Sequence, residues 1–291
     1  MQNSYQNKIM QFGIVGLGLI GGSIAKALKA RNFEVFAEDL NRNYLEAATK
    51  EGLISGSLNE IDQEKEFILI ICVPVSAYAD IFSHHKDLMT KAQLVTDCAS
   101  VKNTLSDELN SHPSLQKNYV FSHPMAGSER SGFFYSDKDL FKDRVCILSK
   151  KDLTEKKSLD LCENLWLDLG SKIKFLDLKD HDKILASTSH LPHFIAFSLV
   201  KSLSNLDSDK IYSGGGLKDF TRIAASDVKM WKDIFSHNKE EILKAIDGFT
   251  ESVNLFKTLI KQDDLDKIEK FIDEAKAFKA VSYTHLTLPT T

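Results

Sequence analysis

Residues 11–30 read QFGIVGLGLIGGSIAKALKA, an apolar run that leads into a glycine-rich turn and then into a segment with helical periodicity. The spacing G-x-G-x-x-G falls on Gly16, Gly18 and Gly21. In a strand-turn-helix unit the first glycine permits a tight turn, the second lets the main chain approach a pyrophosphate, and the third allows close helix packing. Leu19 and Ile20 begin the helix, whose free N–H groups and positive dipole end favour phosphate. The stretch therefore predicts a dinucleotide-binding site.

Further residues are expected beside the bound dinucleotide. Glu38 and Asp39 end the second β-rich run, about 20 residues after the glycines, where an acidic side chain accepts hydrogen bonds from the ribose hydroxyls. A carboxylate repels a 2′-phosphate, so Asp39 favours NAD over NADP as the cofactor, while Arg42 keeps NADP open as an alternative. Val73 and Pro74 follow the third run and are expected at the same crevice, unless Pro74 serves only to end its strand.

Outward from this unit, β-rich runs alternate with helical patterns as far as about residue 175. The runs are residues 11–15, 33–38, 67–73, 93–97, 119–122, 144–149 and 172–175. Strands that alternate with helices indicate an α/β fold with a doubly wound, mostly parallel sheet. From Asp177 onward only helical periodicity remains. We therefore expect a nucleotide-binding domain over residues 1–176 and an all-α domain over residues 177–280.

Composition indicates an ordinary globular protein and argues against several classes of partner. The chain has 291 residues, of which 43% are hydrophobic, and a formal net charge of -4 with dispersed Lys and Arg. We expect no nucleic acid or membrane partner, because no basic patch is visible and the longest apolar run, residues 67–73, is too short to cross a bilayer. The four cysteines form no C-x-x-C pair, so we expect reduced thiols, no metal site and a cytoplasmic location.

Residues 281–291, VSYTHLTLPTT, differ from what precedes them. The amphipathic run ends near Lys279, and the tail then loses its charges and its helical period. It resembles the translation of a cloning adaptor. Our hypothesis is that this tail is not native, and we leave it out of the fold prediction.

The stretch Ser122–Glu129, SHPMAGSE, carries the strongest candidate for a catalytic group. Because ligands of open α/β sheets bind outside the carboxyl ends of strands, His123 after the apolar run 119–121 is a candidate base. Pro124 pushes His123 into an extended conformation, so this histidine cannot begin a helix. Ser100 follows the preceding strand and is expected at the same edge, with the alternative that it only caps the next helix.

The helical part adds histidines and cations. His190 and His193 lie three residues apart, as metal ligands on a helix can, but no third ligand is close in sequence, which makes a zinc site a poor interpretation. Lys218 and Arg222 share one helical face. They are candidates to bind a carboxylate, because the planar fork of arginine matches that anion. The alternative is a solvated surface or a salt bridge to Asp219 or Asp227.

Apolar residues near the C-terminus repeat with the spacing 4, 3, 4, 3, 4 that is typical of a helix-helix seam. They are Ile242, Ile246, Phe249, Val253, Phe256 and Ile260. Such a seam does not say whether its partner helix belongs to the same chain or to a second copy. We favour a homodimer.

Taken together, four segments resemble those of the prephenate dehydrogenases, the TyrA family. They are GLGLIGGS at 16–23, DCASVK at 97–102, SHPMAGSERSG at 122–132, and SHLPH at 189–193 with GGGLKDFTRIAASDVKMW at 214–231. The resemblance spans about residues 10–279 in order. It implies an N-terminal Rossmann domain, a C-terminal helical dimerisation domain and an active site between them.

The resemblance also implies roles for individual residues. His123 matches the catalytic histidine, Ser100 the serine that assists it, and Arg222 the arginine that binds a substrate carboxylate. Residues of the substrate pocket are matched by His181, His193, Glu129 and Trp231. Lys218 stands where the family often has arginine, which preserves the charge and leaves its contact with the carboxylate in doubt.

The implied reaction is the NAD-dependent oxidative decarboxylation of prephenate to 4-hydroxyphenylpyruvate, a step of tyrosine biosynthesis. Hydride leaves ring C4, carbon dioxide is lost, and neutral His123 takes the proton of the C4 hydroxyl. One alternative is arogenate dehydrogenase, whose substrate has an amine in place of the side-chain ketone. A second alternative is a β-hydroxyacid dehydrogenase, but such an enzyme typically uses a lysine on a long helix as its base. A third is a non-catalytic dinucleotide sensor, which has no need of Ser100, His123 and Arg222 together.

Overall fold

The computed structural model describes the main chain of residues 10–128, 130–204, 206 and 214–287. The chain divides into two compact units, Met1–Lys239 and Glu240–Thr291. The predicted domain boundary at residues 176 and 177 lies inside the first of these units and stays a prediction.

An eight-stranded sheet forms the centre of the first unit, with the strand order β3-β2-β1-β4-β5-β6-β7-β8. The strands are β1 Gln11–Val15, β2 Glu34–Glu38, β3 Gly56–Ser57, β4 Phe67–Ile71, β5 Leu94–Asp97, β6 Tyr119–Pro124, β7 Val145–Ser149 and β8 Lys172–Phe175. All neighbours are parallel except β6 and β7. The predicted doubly wound, mostly parallel sheet is confirmed. Strand β3 has only two residues and offers no sequence period to detect.

Helices connect most of the strands and form most of the described chain after the sheet. Those between strands are α1 Leu19–Lys29, α2 Arg42–Lys50, α3 Tyr78–His84, α4 Lys86–Lys91, α5 Asn103–Asn110 and α6 Lys156–Asp168. After the sheet come α7 Leu178–Leu185, α8 Leu191–Leu203, α9 Gly215–Thr221, α10 Val228–His237, α11 Lys239–Lys261 and α12 Leu265–Thr287. The described residues beyond 176 contain no strand, as predicted. Within the described chain, no helix has the length and apolar character needed to cross a membrane.

The hydrophobic core lies on both faces of the central strands. Every residue of β4 is buried, as expected for a parallel strand that helices cover on both sides. The largest side chain in the main cluster is Trp166 of α6, which packs edge-on against Phe141 with ring centroids 5.3 Å apart.

Strand β6 runs two residues further than predicted and includes His123 and Pro124. A proline has no N–H to donate, so it is tolerated in a strand only where one side needs no ladder partner. The β5–β6 pairing ends at Thr96 and Val120, and beyond it β6 pairs only with β7. Pro124 therefore costs no ladder bond to β5. His123 lies in the last part of β6, which pairs with β7 but not with β5.

One π-helical turn, Ala186–His190, lies between α7 and α8. Pro192 follows it at the start of α8 and cannot donate the usual main-chain hydrogen bond. Wider turns of this kind are frequent at functional sites. The turn sets the direction in which His190 and His193 leave the helix.

The second unit contains α12 and all but the first residue of α11. Phe256 and Phe271 join the two helices with ring centroids 5.0 Å apart. Two residues of the predicted seam, Val253 and Ile260, are 45% and 57% exposed. Helix α12 continues to Thr287, past the point near Lys279 where the sequence loses its charges and helical period. No Gly or Pro lies between Leu265 and Leu288, so nothing in that sequence stops an established helix from propagating.

Candidate active site

The candidate residues of the first unit collect at one edge of the sheet, where four neighbouring strands end. The glycine turn follows β1, Val73 and Pro74 follow β4, Ser100 follows β5, and His123 ends β6. The strand order reverses between β1 and β4, and at such a switch point the loops separate and leave a crevice that binds ligands. The predicted cofactor and proton-transfer residues therefore share one crevice.

The glycine turn has the shape that a dinucleotide requires. Gly16 has φ +94°, and a Cβ there would lie 2.6 Å from the carbonyl oxygen of Cys72. A Cβ on Gly21 would overlap the carbonyl oxygen of Gly16. Gly18 is the N-cap of α1 without a side-chain cap, and the space around its missing Cβ is open. The main chain can therefore approach a pyrophosphate at Gly18, where the free N–H groups of α1 begin.

Asp39 does more in the structure than the sequence predicts. Its Oδ2 accepts a hydrogen bond from the N–H of Leu17 at 2.5 Å, and its Oδ1 accepts one from the N–H of Asn41 at 2.6 Å. The carboxylate thus ties the glycine turn to the end of β2. Each oxygen retains a lone pair, so the ribose contact stays a prediction. Arg42, at the start of α2, is exposed.

Val73 lies against the glycine turn, since its Cγ1 is 3.2 Å from the Cβ position of Gly16. Pro74 is exposed and precedes a short 3-10 turn, Val75–Ala77. Strand β4 has already ended at Ile71, so Pro74 is not its last residue. Contact of either residue with the cofactor stays a prediction.

Three side chains form a hydrogen-bonded chain beside the crevice. His123 is 7% exposed, and its Nδ1 lies 3.0 Å from Nε2 of His181 on α7. Nδ1 of His181 lies 2.7 Å from Oδ1 of Asp182. Both His181 and Asp182 are fully buried. The structure therefore brings together His123 and His181, which lie 58 residues apart in the sequence.

A buried ion pair supports the main chain around His123. Nζ of Lys102 donates to Oδ1 of Asp97, to the carbonyl of Ala99 at 2.8 Å and to the carbonyl of Ser122 at 2.7 Å. Lys102 and Asp97 have no exposed surface. All three ammonium donors are satisfied, and one of them holds the residue directly before His123. The pair joins the ends of β5 and β6.

Aromatic rings surround His193 on the helical side. His193 stacks on Trp231 of α10 with ring centroids 4.0 Å apart, and Phe197 and Phe235 contact the same indole. The Nδ1–H of His193 donates to the carbonyl of Ser189 at 2.9 Å, which leaves Nε2 as an acceptor. His193 and Trp231, which the resemblance assigns to the substrate pocket, are in contact in the structure.

Arg222 follows α9, and its charge is near enough to help lower the pKa of His193, after the larger effect of burial. Arg222 and Lys218 are exposed, and within the described part of the chain neither side chain has a hydrogen bond or ion pair. The salt bridge to Asp227 that we considered is wrong. Asp227 instead caps α10 and accepts from the hydroxyl of Ser131 at 2.9 Å.

Ser100 lies in the loop between β5 and α5 and is half-buried. The alternative that it caps α5 is wrong, because α5 begins at Asn103 and its first N–H groups bind Asp182. Among the described residues the Ser100 hydroxyl has no hydrogen-bond partner. Glu129, the other residue implied beside His123, lies outside the described residues.

Burial governs the protonation of the histidines. It lowers the pKa of His123 well below the ordinary value of 6.5, and the neighbouring His181, Lys102 and His190 lower it further. Burial also lowers the pKa of His181, despite the hydrogen bond to Asp182, and it lowers the pKa of His190 to about 4. All three side chains are therefore neutral in the folded protein at neutral pH.

We expect stability to fall as the pH drops below 6.5, the ordinary pKa of histidine. Below that value the unfolded chain takes up three protons that the folded protein does not bind, whereas above it both states are neutral. With about 1.4 kcal/mol for each proton and pH unit, urea unfolding should show a loss of about 3 to 4 kcal/mol between about pH 7.5 and 5.5. A His190→Gln variant should lose correspondingly less. A flat profile over this range would contradict the buried neutral histidines.

Comparison with known proteins agrees with this geometry. A model of the prephenate dehydrogenase nucleotide-binding domain matches residues 24–175, and one of the prephenate dehydrogenase dimerization domain matches residues 177–274. Cyclohexadienyl dehydrogenase of Zymomonas mobilis is 31% identical over 94% of this chain and 96% of its own length. The chain belongs to the prephenate dehydrogenase family.

Further members of the prephenate dehydrogenase family resemble the chain in sequence and in structure. Prephenate dehydrogenase of Bacillus subtilis is 30% identical over 91% of this chain and 74% of its own length. The crystal structure of prephenate dehydrogenase from Aquifex aeolicus with hydroxyphenyl propionate and NAD+ superimposes with a TM-score of 0.82 at 34% identity. That match covers 93% of this chain and 97% of the other. The protein is thus an NAD-dependent oxidoreductase whose glycine turn fits the cofactor.

Three residues of the candidate active site were not predicted from the sequence. Asp182 follows His181 directly, and Asp97 and Lys102 begin and end the segment DCASVK. A charged side chain is more often exposed than buried, so their residue types alone do not indicate a buried role. The available signal was position, because Asp97 ends β5, Asp182 lies beside a candidate histidine and Lys102 belongs to a segment that the family resemblance includes.

Proposed function

We propose that the protein catalyses the NAD-dependent oxidative decarboxylation of prephenate to 4-hydroxyphenylpyruvate, with His123 as the base. The observation that carries the assignment to His123 is its position, buried and neutral, at the end of β6 beside the crevice of the glycine turn. The enzyme class and the cofactor follow from the family. The roles of single residues are our proposal.

His123 accepts the proton of the ring C4 hydroxyl as the C4–O bond becomes a carbonyl. NAD, held by the glycine turn at Gly18 and the start of α1, would supply the acceptor for the hydride of C4. The ring carboxylate leaves as carbon dioxide, and its bonding electrons complete the aromatic ring, so the C4 carbonyl becomes a phenolate oxygen. Protonated His123 returns the proton to this oxygen, which gives the phenol of the product. Because aromatisation makes the overall step favourable, the protein's residues chiefly position the substrate and receive the proton.

Arg222 binds a substrate carboxylate in this proposal. Its exposed guanidinium lies close enough to His193 to lower the pKa of that histidine and has no carboxylate partner among the described residues. Lys218 one helical turn earlier adds positive charge. The stack of His193 on Trp231 offers a flat apolar wall for the ring. Glu129 completes the proposed substrate contacts, and Ser100 assists His123.

Replacing Arg222 with Ala should raise KM for prephenate by about 10- to 100-fold, the effect of losing a charged hydrogen-bonding pair, with a smaller change in kcat. Steady-state kinetics at saturating NAD measures both constants. Lys232→Ala, which removes an exposed cation of α10, is the matched control and should leave both unchanged. An unchanged KM for Arg222→Ala would rule out the carboxylate contact.

Assays of the purified enzyme with prephenate and with arogenate, each with NAD and with NADP, test the proposed function. We expect NADH formation with prephenate and a preference for NAD, since the carboxylate of Asp39 repels a 2′-phosphate. The name of the relative cyclohexadienyl dehydrogenase specifies neither prephenate nor arogenate, so arogenate is the second candidate. Turnover of arogenate alone would move the assignment to arogenate dehydrogenase. NAD binding without turnover of either compound would indicate a dinucleotide sensor.

The proposed assembly is a homodimer formed through the C-terminal helices. A match to a dimerization domain supports it, and so do the apolar side chains of α11 and α12 that stay exposed in one copy. They include Val253, Leu255, Ile260 and Ile272. Sedimentation velocity at micromolar concentration should show a dimer, and Ile260→Asp should shift it toward monomer. A monomer for the unaltered protein would contradict the proposal.

We also propose a cytoplasmic location, in keeping with the oxidoreductase family and with its reduced thiols. All four cysteines are free, and the sulfurs of Cys72 and Cys98 lie 3.6 Å apart without a bond between them. Fractionation of the source cells with antibody detection tests the location. Recovery in a secreted or membrane fraction would contradict it.

A further inference from the structure

We propose that Asp182, acting through His181, fixes the tautomer of His123 so that Nε2 of His123 is the atom that accepts the substrate proton. His181 and Asp182 are positioning residues in this proposal, because neither needs to touch the substrate. The proposal rests on the function proposed above, in which His123 is the base. Its starting point is the hydrogen-bonded chain of three buried side chains between β6 and α7.

The direction of the chain is set at Asp182. Its Oδ1 accepts from the N–H of Lys102 at 2.8 Å, and its Oδ2 accepts from the N–H of Asn103 at 2.8 Å. These two donors stabilise the ionised form of the carboxyl group, and an ionised carboxylate can only accept. Burial raises the pKa of Asp182, but the hydrogen bonds from His181 and from these amides outweigh it and hold the pKa below the ordinary value. The 2.7 Å contact with His181 is therefore donated by Nδ1–H of His181.

The tautomer of His123 follows from that of His181. A neutral imidazole carries one N–H, so His181 with its proton on Nδ1 has a lone pair on Nε2. The 3.0 Å contact between this Nε2 and Nδ1 of His123 then requires a proton on Nδ1 of His123. In neutral His123 the remaining nitrogen, Nε2, is unprotonated. That nitrogen is the only one that can act as a base.

The opposite arrangement needs a charged His181. With protons on both nitrogens, His181 would donate to His123 and move the proton of His123 to Nε2, which removes the base. Burial opposes this state, since it lowers the pKa of His181. The nearby ammonium of Lys102 opposes it as well. The structure thus favours the arrangement in which His123 is ready to accept a proton.

The same chain stabilises the product of proton transfer. When Nε2 of His123 has taken the hydroxyl proton, the imidazolium keeps its Nδ1–H donated to His181, and the negative end of the chain at Asp182 faces the new charge. The Asp182 side chain does not need to rotate, because the amides at the start of α5 hold its carboxylate. The main-chain carbonyl of Asp182 also accepts a hydrogen bond from Nδ2 of Asn238 at 2.8 Å. Preorganised charge of this kind lowers the barrier without reorganisation during the step.

The pair His181→Gln and His181→Leu tests the inference kinetically. Glutamine can place its carbonyl oxygen where Nε2 of His181 accepts, whereas leucine fills space without an acceptor. We expect His181→Leu to lower kcat about 100-fold with KM for prephenate nearly unchanged, and His181→Gln to recover most of kcat. Thermal unfolding of both variants checks that each folds. Equal losses of kcat in the two variants, or no loss in either, would overturn the proposal.

Nitrogen NMR on histidine-labelled protein reads the tautomer directly and requires no substrate. We expect His123 in the unaltered protein to show a protonated Nδ1 and an unprotonated Nε2, and His181→Leu to show a mixture of tautomers. A protonated Nε2 in the unaltered protein would overturn this inference while leaving any measured prephenate turnover standing. The expected tautomer in a protein without turnover of prephenate or arogenate would instead overturn only the proposed function.

Discussion

Replacing His123 with Asn should lower kcat for prephenate by about 1,000-fold, with KM changed by no more than a small factor, since general-base catalysis contributes roughly 10² to 10⁴-fold. Asparagine can still hydrogen-bond to the C4 hydroxyl, so it keeps part of the substrate contact. It cannot take up the proton that must leave when the C4–O bond becomes a carbonyl. Steady-state kinetics at saturating NAD measures the loss.

Two controls make this result specific. NAD binding, followed by fluorescence, should be unaffected by His123→Asn, because the glycine turn lies at the end of β1 and His123 at the end of β6. His84→Asn alters an exposed histidine of α3 and should leave kcat unchanged. A loss confined to KM in His123→Asn would remove His123 from the proton transfer and leave it as a binding residue.

Lys102→Met should lower the free energy of unfolding by about 3 to 5 kcal/mol, the cost of leaving one partner of a buried ion pair alone. Methionine has a similar length, so the loss of unfolding free energy measures the removal of the ammonium group and not the creation of a cavity. Without it, the fully buried carboxylate of Asp97 has no cation, and the carbonyls of Ala99 and Ser122 lose their donor. Urea unfolding followed by circular dichroism measures the change.

The double variant Asp97→Asn with Lys102→Met is expected to be less destabilised than the sum of the two single variants. Each single change leaves a buried charge unpaired, and the double change leaves none, so the double-mutant cycle should show strong coupling. Lys86→Met removes an exposed lysine of α4 and should change stability little. Additive effects on the free energy of unfolding would mean that Asp97 and Lys102 do not stabilise each other.

The fold was predictable because its decisive signals are local. The spacing of the glycines after β1 follows from the tight turn and close packing that a strand-turn-helix unit requires of its main chain. The fully apolar run of β4 is typical of a strand covered on both faces. Strand β3 could not be predicted, since two residues have no period. Helix α12 runs on to Thr287, into the tail left out of the prediction, because loss of amphipathic pattern does not stop a helix that contains no Gly or Pro.

The candidate site was predictable residue by residue but not in its connections. Position at a strand end was enough to select His123, yet its contact with His181 depends on how α7 packs over the sheet. Ser100 illustrates the limit, since the sequence allowed it to cap α5 and the amides of that helix in fact bind a carboxylate about 80 residues later. Charged residues are usually exposed, whereas Lys102 and Asp182 are buried, so the sequence did not mark them as site residues.

The hydrogen bonds from Asp182 to the start of α5 also bear on how the enzyme can move. Helix α7 is fastened to the sheet through two amides of α5 and, by way of His181, through β6. A displacement of α7 would break all three links, so we expect α7 to keep its position against the carboxyl edge of the sheet and to hold the proton acceptor of His123 in place.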